Sequence, residues 1–331
     1  MRRSIVNDPE DLVPEALEGL VLSHPRLLEL EAEHRFITRK EPARDKVGLV
    51  SGGGSGHEPL HAGFVGTGML DVAVAGAVFA SPTALQVLAA TKAADAGRGV
   101  VQIVKNYTGD VLNFRIAGEI SGDDAIDTEI VLVDDDIATD SGEDGPGRRG
   151  TAATVIVEKV CGAAAEEGAG LADVAAIGRR VATSARTMSL ALAAGTHPGD
   201  DRPQFDLGDD EIELGVGIHG ERAAKRASFT DANGLTDLLL EPLLSELDLS
   251  RGDEVLAIVN GLGSTYPLEL QLVARALHHR LGDAGIEIGR SLVGPYVTSL
   301  DMHGVSITLM PLDDELRRLW DAPVRTPALT W

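Results

Sequence analysis

The sequence predicts an α/β protein of two domains, and three observations carry that prediction. Short apolar runs rich in Val and Ile alternate with longer amphipathic stretches through the first two-thirds of the chain. Strands alternating with helices in this way build a layered fold around a largely parallel sheet. The alternation is broken by THPGDDRPQFDLGDDE (196–211), where Pro, Gly and Asp crowd together, a composition shift typical of a boundary. A length of 331 residues also exceeds what one hydrophobic core usually organises.

The elements follow in order. KVGLVS (46–51), LDVAVAG (70–76), GVVQIVKN (99–106) and TEIVLVDDD (128–136) read as buried strands. SPTALQVLAATKAADAG (81–97) and GDVLNFRIAGEISGD (109–123) have apolar residues at helical spacing, and the first opens on Ser-Pro, a good helix start. A long helical region is expected from TAATVIVEKVCGAAAEEGAG (151–170) through LADVAAIGRRVATSARTMSLALAAG (171–195). After the boundary, EIELGVGIH, DEVLAIVNG, IEIGRSLVGPYV and GVSITLMP read as strands, and GLTDLLLEPLLSEL and YPLELQLVARALHHRLGDAG as helices. The expected organisation is an N-terminal α/β domain over 1–195, with a largely parallel sheet flanked by helices, and a second α/β domain over 196–315 with a smaller mixed sheet. The tail 316–331, rich in Pro and Trp, is expected to pack back on the first domain.

Composition narrows the function. The single cysteine, Cys161, excludes an internal disulfide and a cysteine-based zinc or iron–sulfur cluster within one chain. In VIVEKVCGAAA it reads as a small buried apolar residue. A formal net charge of -23 and a pI near 4.7 repel nucleic acid and anionic membranes. No run approaches the roughly 18 apolar residues of a membrane span, and no apolar run follows the two N-terminal arginines. The expected location is the cytoplasm, with no nucleic-acid or membrane partner. Only six of the 29 basic residues are lysines. That ratio fits solubility in high salt, and a GC-rich genome produces it equally.

Three motifs fall at the carboxyl ends of predicted strands, where open α/β sheets bind ligands. GGGSGH (52–57) follows VGLVS, NYTGD (106–110) follows VQIVK, and His219 closes ELGVGIH. HEPLH (57–61) spells the H-E-x-x-H pattern of zinc proteases, but Pro59 stands between the histidines. Proline favours the first turn of a helix over its interior. A helix is therefore expected to begin near Pro59, with His57 in the loop before it and His61 an ordinary helix residue, which argues strongly against zinc proteolysis and leaves a zinc hydrolase as a remote rival that metal analysis would settle. No Lys follows Gly56 as a Walker loop requires, and His57 stands where a dinucleotide fingerprint has its third glycine. His57, Lys105, Asp110 and His219 together suit acid–base and nucleophilic chemistry. Singly, each also has an ordinary reading: a solvated strand end for Lys105, a helix cap for Asp110, a turn histidine for His219.

GLVSGGGSGHEPLHAGFVGTGML, IVKNYTGDVLNF, GVGIHGE, TSLDMHGVSITL and LWDAPVRTPALTW closely resemble the substrate-binding subunit of dihydroxyacetone kinases, and the resemblance covers essentially the whole chain. It implies that His219 bonds covalently to the ketone carbon of dihydroxyacetone as a hemiaminal. It makes His57 an acid–base partner and Asp110 the residue that prepares the substrate hydroxyl for attack. Gly54, Ser55, Gly56 and Lys105 complete the implied substrate cradle. No metal or cofactor is implied on this chain; nucleotide and Mg²⁺ belong to a separate nucleotide-binding kinase subunit. ATP and a phosphotransferase-type protein acting on that subunit are alternative phosphoryl sources, and a homodimer is expected. The segment after GIHGE, through RAAKRASFTDANGLTDLLLEPLLSELDLSRGDE, leaves no room for a large insertion, which bears on partner contacts more than on chemistry. Two alternatives stay open: a kinase subunit for another short ketose such as erythrulose, and a ketose-sensing regulator without turnover.

Overall fold

The computed structural model describes residues 4–42, 44–139, 147–222 and 225–331. The chain folds as two compact units. The first comprises Ile5–Val133, Thr154–Ala182 and Arg318–Trp331, and the second is built on Asp134–Ala153 and Thr183–Arg317.

The first unit holds a six-stranded sheet. Its strands are β1 (Leu28–Glu31), β2 (Phe36–Arg39), β3 (Gly48–Ser55), β4 (Val72–Val78), β5 (Val100–Lys105) and β6 (Thr128–Val133), in the order β1-β2-β4-β3-β5-β6. β4, β3, β5 and β6 run parallel. β1 and β2, not foreseen from the sequence, form an antiparallel hairpin that extends the sheet beyond β4. β3 and β5 are buried along their whole length, as expected of parallel strands covered on both faces. After β3 the chain moves to β4 on one side and returns on the other as β5, so the strand order reverses between β3 and β5. Crevices at such reversals, at the carboxyl ends of strands, are where doubly wound sheets bind ligands.

Helices α1 (Leu12–Ser23), α2 (Ala84–Ala94), α3 (Thr108–Asp123), α4 (Ala153–Glu166) and α5 (Leu171–Ser184) accompany this sheet in the sequence. α2 starts on a capping box in which the Thr83 hydroxyl accepts from the Gln86 amide while the Gln86 side chain accepts from the Thr83 amide. Val87, Ala90, Phe114 and Ala117 of α2 and α3 pack with Val50, Val74 and Val104 of the sheet. α4 is buried on every side from Thr154 to Ala165, consistent with its run of Ala, Val and Ile. The tail is anchored within this unit. The buried Lys159 ammonium donates to the Leu319 carbonyl at 2.7 Å and lies 5.7 Å from the centre of the Trp331 ring.

The second unit holds β7 (Arg186–Ala193), β8 (Glu211–Leu214), β9 (Lys225–Ser228), β10 (Glu254–Gly261), β11 (Glu287–Gly294) and β12 (His303–Pro311), in the order β11-β10-β12-β7-β8-β9. This sheet is mixed: β10 and β11 are parallel and the remaining pairs antiparallel. Helices α6 (Ala232–Glu246) and α7 (Pro267–Ala284) bring Leu235, Leu239, Leu243, Leu270, Val273 and Leu277 into one core with Leu190, Val255, Val305 and Ile307. α8 (Asp314–Asp321) follows the last strand. No helix among the described residues is long and apolar enough to cross a membrane.

Two expectations are corrected here. RTMSLALA is not helix but β7, hydrogen-bonded to β12 on one side and β8 on the other. Its Leu and Ala residues favour a helix locally, and pairing within the sheet overrides that preference. The single cut after residue 195 is therefore replaced: β7 and residues 134–153 belong with the second sheet, and 318–331 with the first unit.

Candidate functional site

The site in the first unit is assembled at the carboxyl ends of β3 and β5. The glycine run that ends β3 leaves no side chains there, and this lets β5's last residue, Lys105, reach across. A Cβ on Gly53 would collide with Lys105 Nζ and lie 3.3 Å from Asp110 Oδ2, so glycine is what admits the lysine. Asp110 sits in the first turn of α3, whose N-cap is Tyr107. The aspartate is thus not the cap residue. Its carboxylate is 3 % exposed, and its Oδ1 has no hydrogen-bond partner among the described residues.

Lys105 is fully buried. Its Nζ donates to the Gly52 carbonyl at 3.1 Å, meets His61 Nε2 at 2.7 Å and lies 3.7 Å from Asp110 Oδ2. An ammonium offers only donors, so His61 Nε2 accepts and the ring proton is on Nδ1. From there it reaches Glu158 Oε1 at 2.6 Å and Ser51 Oγ at 2.9 Å, while the Ser51 hydroxyl donates to the Ile103 carbonyl. Burial, then the charges of Lys105 and His57, hold His61 well below the usual histidine range, which keeps the imidazole neutral. Burial lowers Lys105, with Asp110 and Glu158 pulling it back. Burial pushes the Glu158 carboxyl up to about 8 against the pull of Lys105 and Ser51.

The segment HEPLH is a turn followed by a short 3-10 helix, Ala62–Phe64. His61 is therefore not the ordinary helix residue expected. It is 5 % exposed and bonded directly to Lys105. The turn also removes the shared helical face that a zinc protease motif requires. His57 is 1 % exposed, with its ring stacked on Phe79 at 5.1 Å between centres. The predicted cradle residues have distinct local roles. Gly54 lies tight against the backbone of Phe79 and Ala80. The Ser55 hydroxyl is turned to the Gly76 carbonyl at 2.8 Å. Gly56, at φ 104°, donates its amide to the Glu58 carboxylate, a conformation natural to glycine.

Ser51, Gly53, His61 and Glu158 were missed in the sequence. Glu158 is 97 positions from its partner His61, so spacing could not join them. One signal was available: the Glu158–Lys159 pair interrupts an otherwise apolar helix, and buried charges of that kind need partners.

His219 lies in the second unit. β8 ends at Leu214, and His219 occupies a turn beyond it rather than the strand end. The backbone accounts for the difference: Gly215 and Gly220 take positive φ, turning the chain out of the sheet. His219 Nδ1 meets Glu221 Oε1 at 2.8 Å, its amide donates to Glu221 Oε2 at 2.9 Å, and its carbonyl accepts from Gln204 Nε2 at 2.7 Å. Burial pushes the Glu221 carboxyl up, but the hydrogen bond from His219, the proximity of His219 and the Arg149 guanidinium overcome it and bring it down to about 2. An ionised Glu221 accepts from Nδ1–H, which leaves the imidazole lone pair on Nε2.

Comparison with known proteins places the chain in a family. The Dak1 domain family matches residues 18–328. The dihydroxyacetone-binding subunit DhaK of the PTS-dependent dihydroxyacetone kinase 1 from Listeria innocua is 47% identical over 313 residues, covering 95% of each chain. The crystal structure of the dihydroxyacetone kinase of C. freundii superposes with a TM-score of 0.90 at 33% identity, over 100% of this chain and 60% of that one. The dihydroxyacetone kinase operon co-activator DhaQ superposes with a TM-score of 0.90 at 30% identity, over 95% and 97% of the two chains. The chain belongs to the Dak1 family, and its full-length relatives include the dihydroxyacetone-binding subunits of dihydroxyacetone kinases.

Proposed function

We propose that this chain is the substrate-binding subunit of a dihydroxyacetone kinase, and that it holds dihydroxyacetone as a hemiaminal on His219. The observation that carries the reading is the His219–Glu221 pair, which puts the ring proton on Nδ1 and the nucleophilic lone pair on Nε2. Nε2 adds to the ketone carbon, the carbonyl π pair moves to oxygen, and that oxygen takes up a proton. The positive charge left on the ring faces the Glu221 carboxylate. A polyol has no carbonyl and forms no such bond, so the histidine selects ketone over alcohol.

In this reading His57 and Asp110 are the acid–base residues of the same reaction. The buried Asp110 Oδ1, without a donor among the described residues, suits a substrate hydroxyl. Asp110 takes that hydroxyl's proton as the oxygen attacks phosphorus, while Lys105 and the glycine run form the cradle. Phosphoryl transfer depends chiefly on such positioning and charge stabilisation. The phosphoryl group comes from a separate subunit that carries nucleotide and Mg²⁺, recharged by ATP or by a phosphotransferase-type protein. The relatives described as PTS-dependent support the latter.

The experiment is intact mass spectrometry with dihydroxyacetone. Wild type gains the mass of one ketose and His219→Ala gains none; an undiminished adduct in His219→Ala removes the nucleophile assignment. Erythrulose in a parallel sample tests the wider ketose reading. A second reading, a ketose sensor without turnover, is favoured by one observation, the co-activator's near-complete superposition. Phosphorylation of the ketose when the partner subunit is added decides for the kinase.

A further inference from the structure

Behind Lys105 lies a chain of buried groups that the ketose reading leaves unused. His61 connects Lys105 Nζ at 2.7 Å to Glu158 Oε1 at 2.6 Å, with Ser51 Oγ 2.9 Å from the same ring nitrogen. Glu158 is fully buried in a helix whose neighbours are Val, Ile and Ala. An apolar residue there would avoid the desolvation cost of a carboxyl, so packing alone does not account for it.

We propose that His61 and Glu158 are positioning residues for Lys105. His61 holds one hydrogen of the ammonium, and Glu158 both fixes the tautomer that makes this bond and supplies charge that keeps Lys105 protonated. The logic is geometric. An Nε2–H tautomer would face the ammonium donor to donor across 2.7 Å, and a carboxylate at Nδ1 selects against it. With two hydrogens committed to His61 and the Gly52 carbonyl, the third is left for Asp110 Oδ2, 3.7 Å away. The groups around the Lys105–His61 pair are Ser51 and Gly52 from β3, His57 from the turn, Asp110 from α3 and Glu158 from α4. Cys161 beside Glu158 stays neutral, its thiol pushed up by burial to about 12. Among these described groups only Asp110 and Glu158 bring negative charge. The Glu158 charge pulls Lys105 up against the lowering by burial, so removing it makes proton loss from the lysine easier.

This inference takes its functional meaning from the ketose-kinase reading, and its test separates the two. The protein has six lysines, so ¹³Cε-lysine NMR across a pH titration can follow Lys105, assigned with Lys105→Arg. In Glu158→Gln, an isostere, the Lys105 midpoint is expected to fall by about one pH unit or more. The alkaline limb of kcat/KM falls with it, while the ketose adduct at pH 7 is retained. An unchanged midpoint in folded Glu158→Gln overturns the proposal. A shifted midpoint in a protein whose wild type forms no adduct would sink the ketose reading and leave this one standing. Should Glu158→Gln not fold, ¹⁵N-histidine NMR of the wild type decides: Nδ1–H with Nε2 accepting is expected for His61, and an imidazolium or Nε2–H tautomer overturns the proposal.

Discussion

The two polar centres of this protein control protonation by different means. In the first unit, Lys105, His61 and Glu158 are sealed in the fold and each is shifted first by burial. In the second, His219 sits in a glycine-rich turn, side chain 19% exposed, where burial is outweighed by the His219 hydrogen bond and the charges of His219 and Arg149 together, which pull Glu221 down. The first centre is a structural commitment of the sheet, so its residues are tied to stability and to one another. The second is a device of a few residues at a turn, so substitutions there should cost less stability than those in the sealed cluster.

The largest expected effect tests the first centre. Asp110→Asn should retain the ketose adduct while turnover with the partner subunit falls by about 10²–10⁴-fold, the usual contribution of a positioned base. Full turnover in that variant would make the carboxylate dispensable. Gly53→Ala forces a methyl against Lys105 Nζ, and thermal or urea unfolding should show a loss of about 1–3 kcal/mol, the ordinary cost of overpacking. Wild-type stability there would mean that the cluster is loosely held. Glu221→Gln probes the second centre and should be milder: adduct affinity about tenfold weaker, with stability at neutral pH somewhat below wild type. Its pH dependence has a definite sign. Glu221 is lowered from 4.5 to about 2, so the stability it contributes is present above 4.5 and lost as pH falls toward 2. Wild type and Glu221→Gln should converge across that window, and curves that stay parallel would show that the carboxylate is not coupled to folding.

The same contrast explains what could be read from the sequence. The ends of β3 and β5, marked by GGGSGH and NYTGD, were legible because these candidate residues lie in or within a few positions of the strands that place them. His219 was legible as a candidate residue, though its turn was not, because Gly215 bends the chain four residues before the strand reading would stop. The supporting groups were illegible for a different reason. His61 looks like a helix residue until the HEPLH turn is seen, and Glu158 gains its meaning only from a partner 97 residues away. Long-range burial decides such residues, and local periodicity does not report it. β7 failed the same way: its Leu-Ala run is a good helix sequence overruled by partners on both sides.

The proposed reaction turns on a covalent bond between His219 and a ketone carbon. Carbonyl-¹³C dihydroxyacetone bound to protein labelled with ¹⁵N at histidine tests it directly by NMR. The ketone signal should move to the tetrahedral range and show one-bond coupling to a histidine nitrogen, Nε2 of His219, with both features absent in His219→Ala. A bound ketose whose carbon remains a ketone, or becomes tetrahedral with no nitrogen coupling, would contradict it.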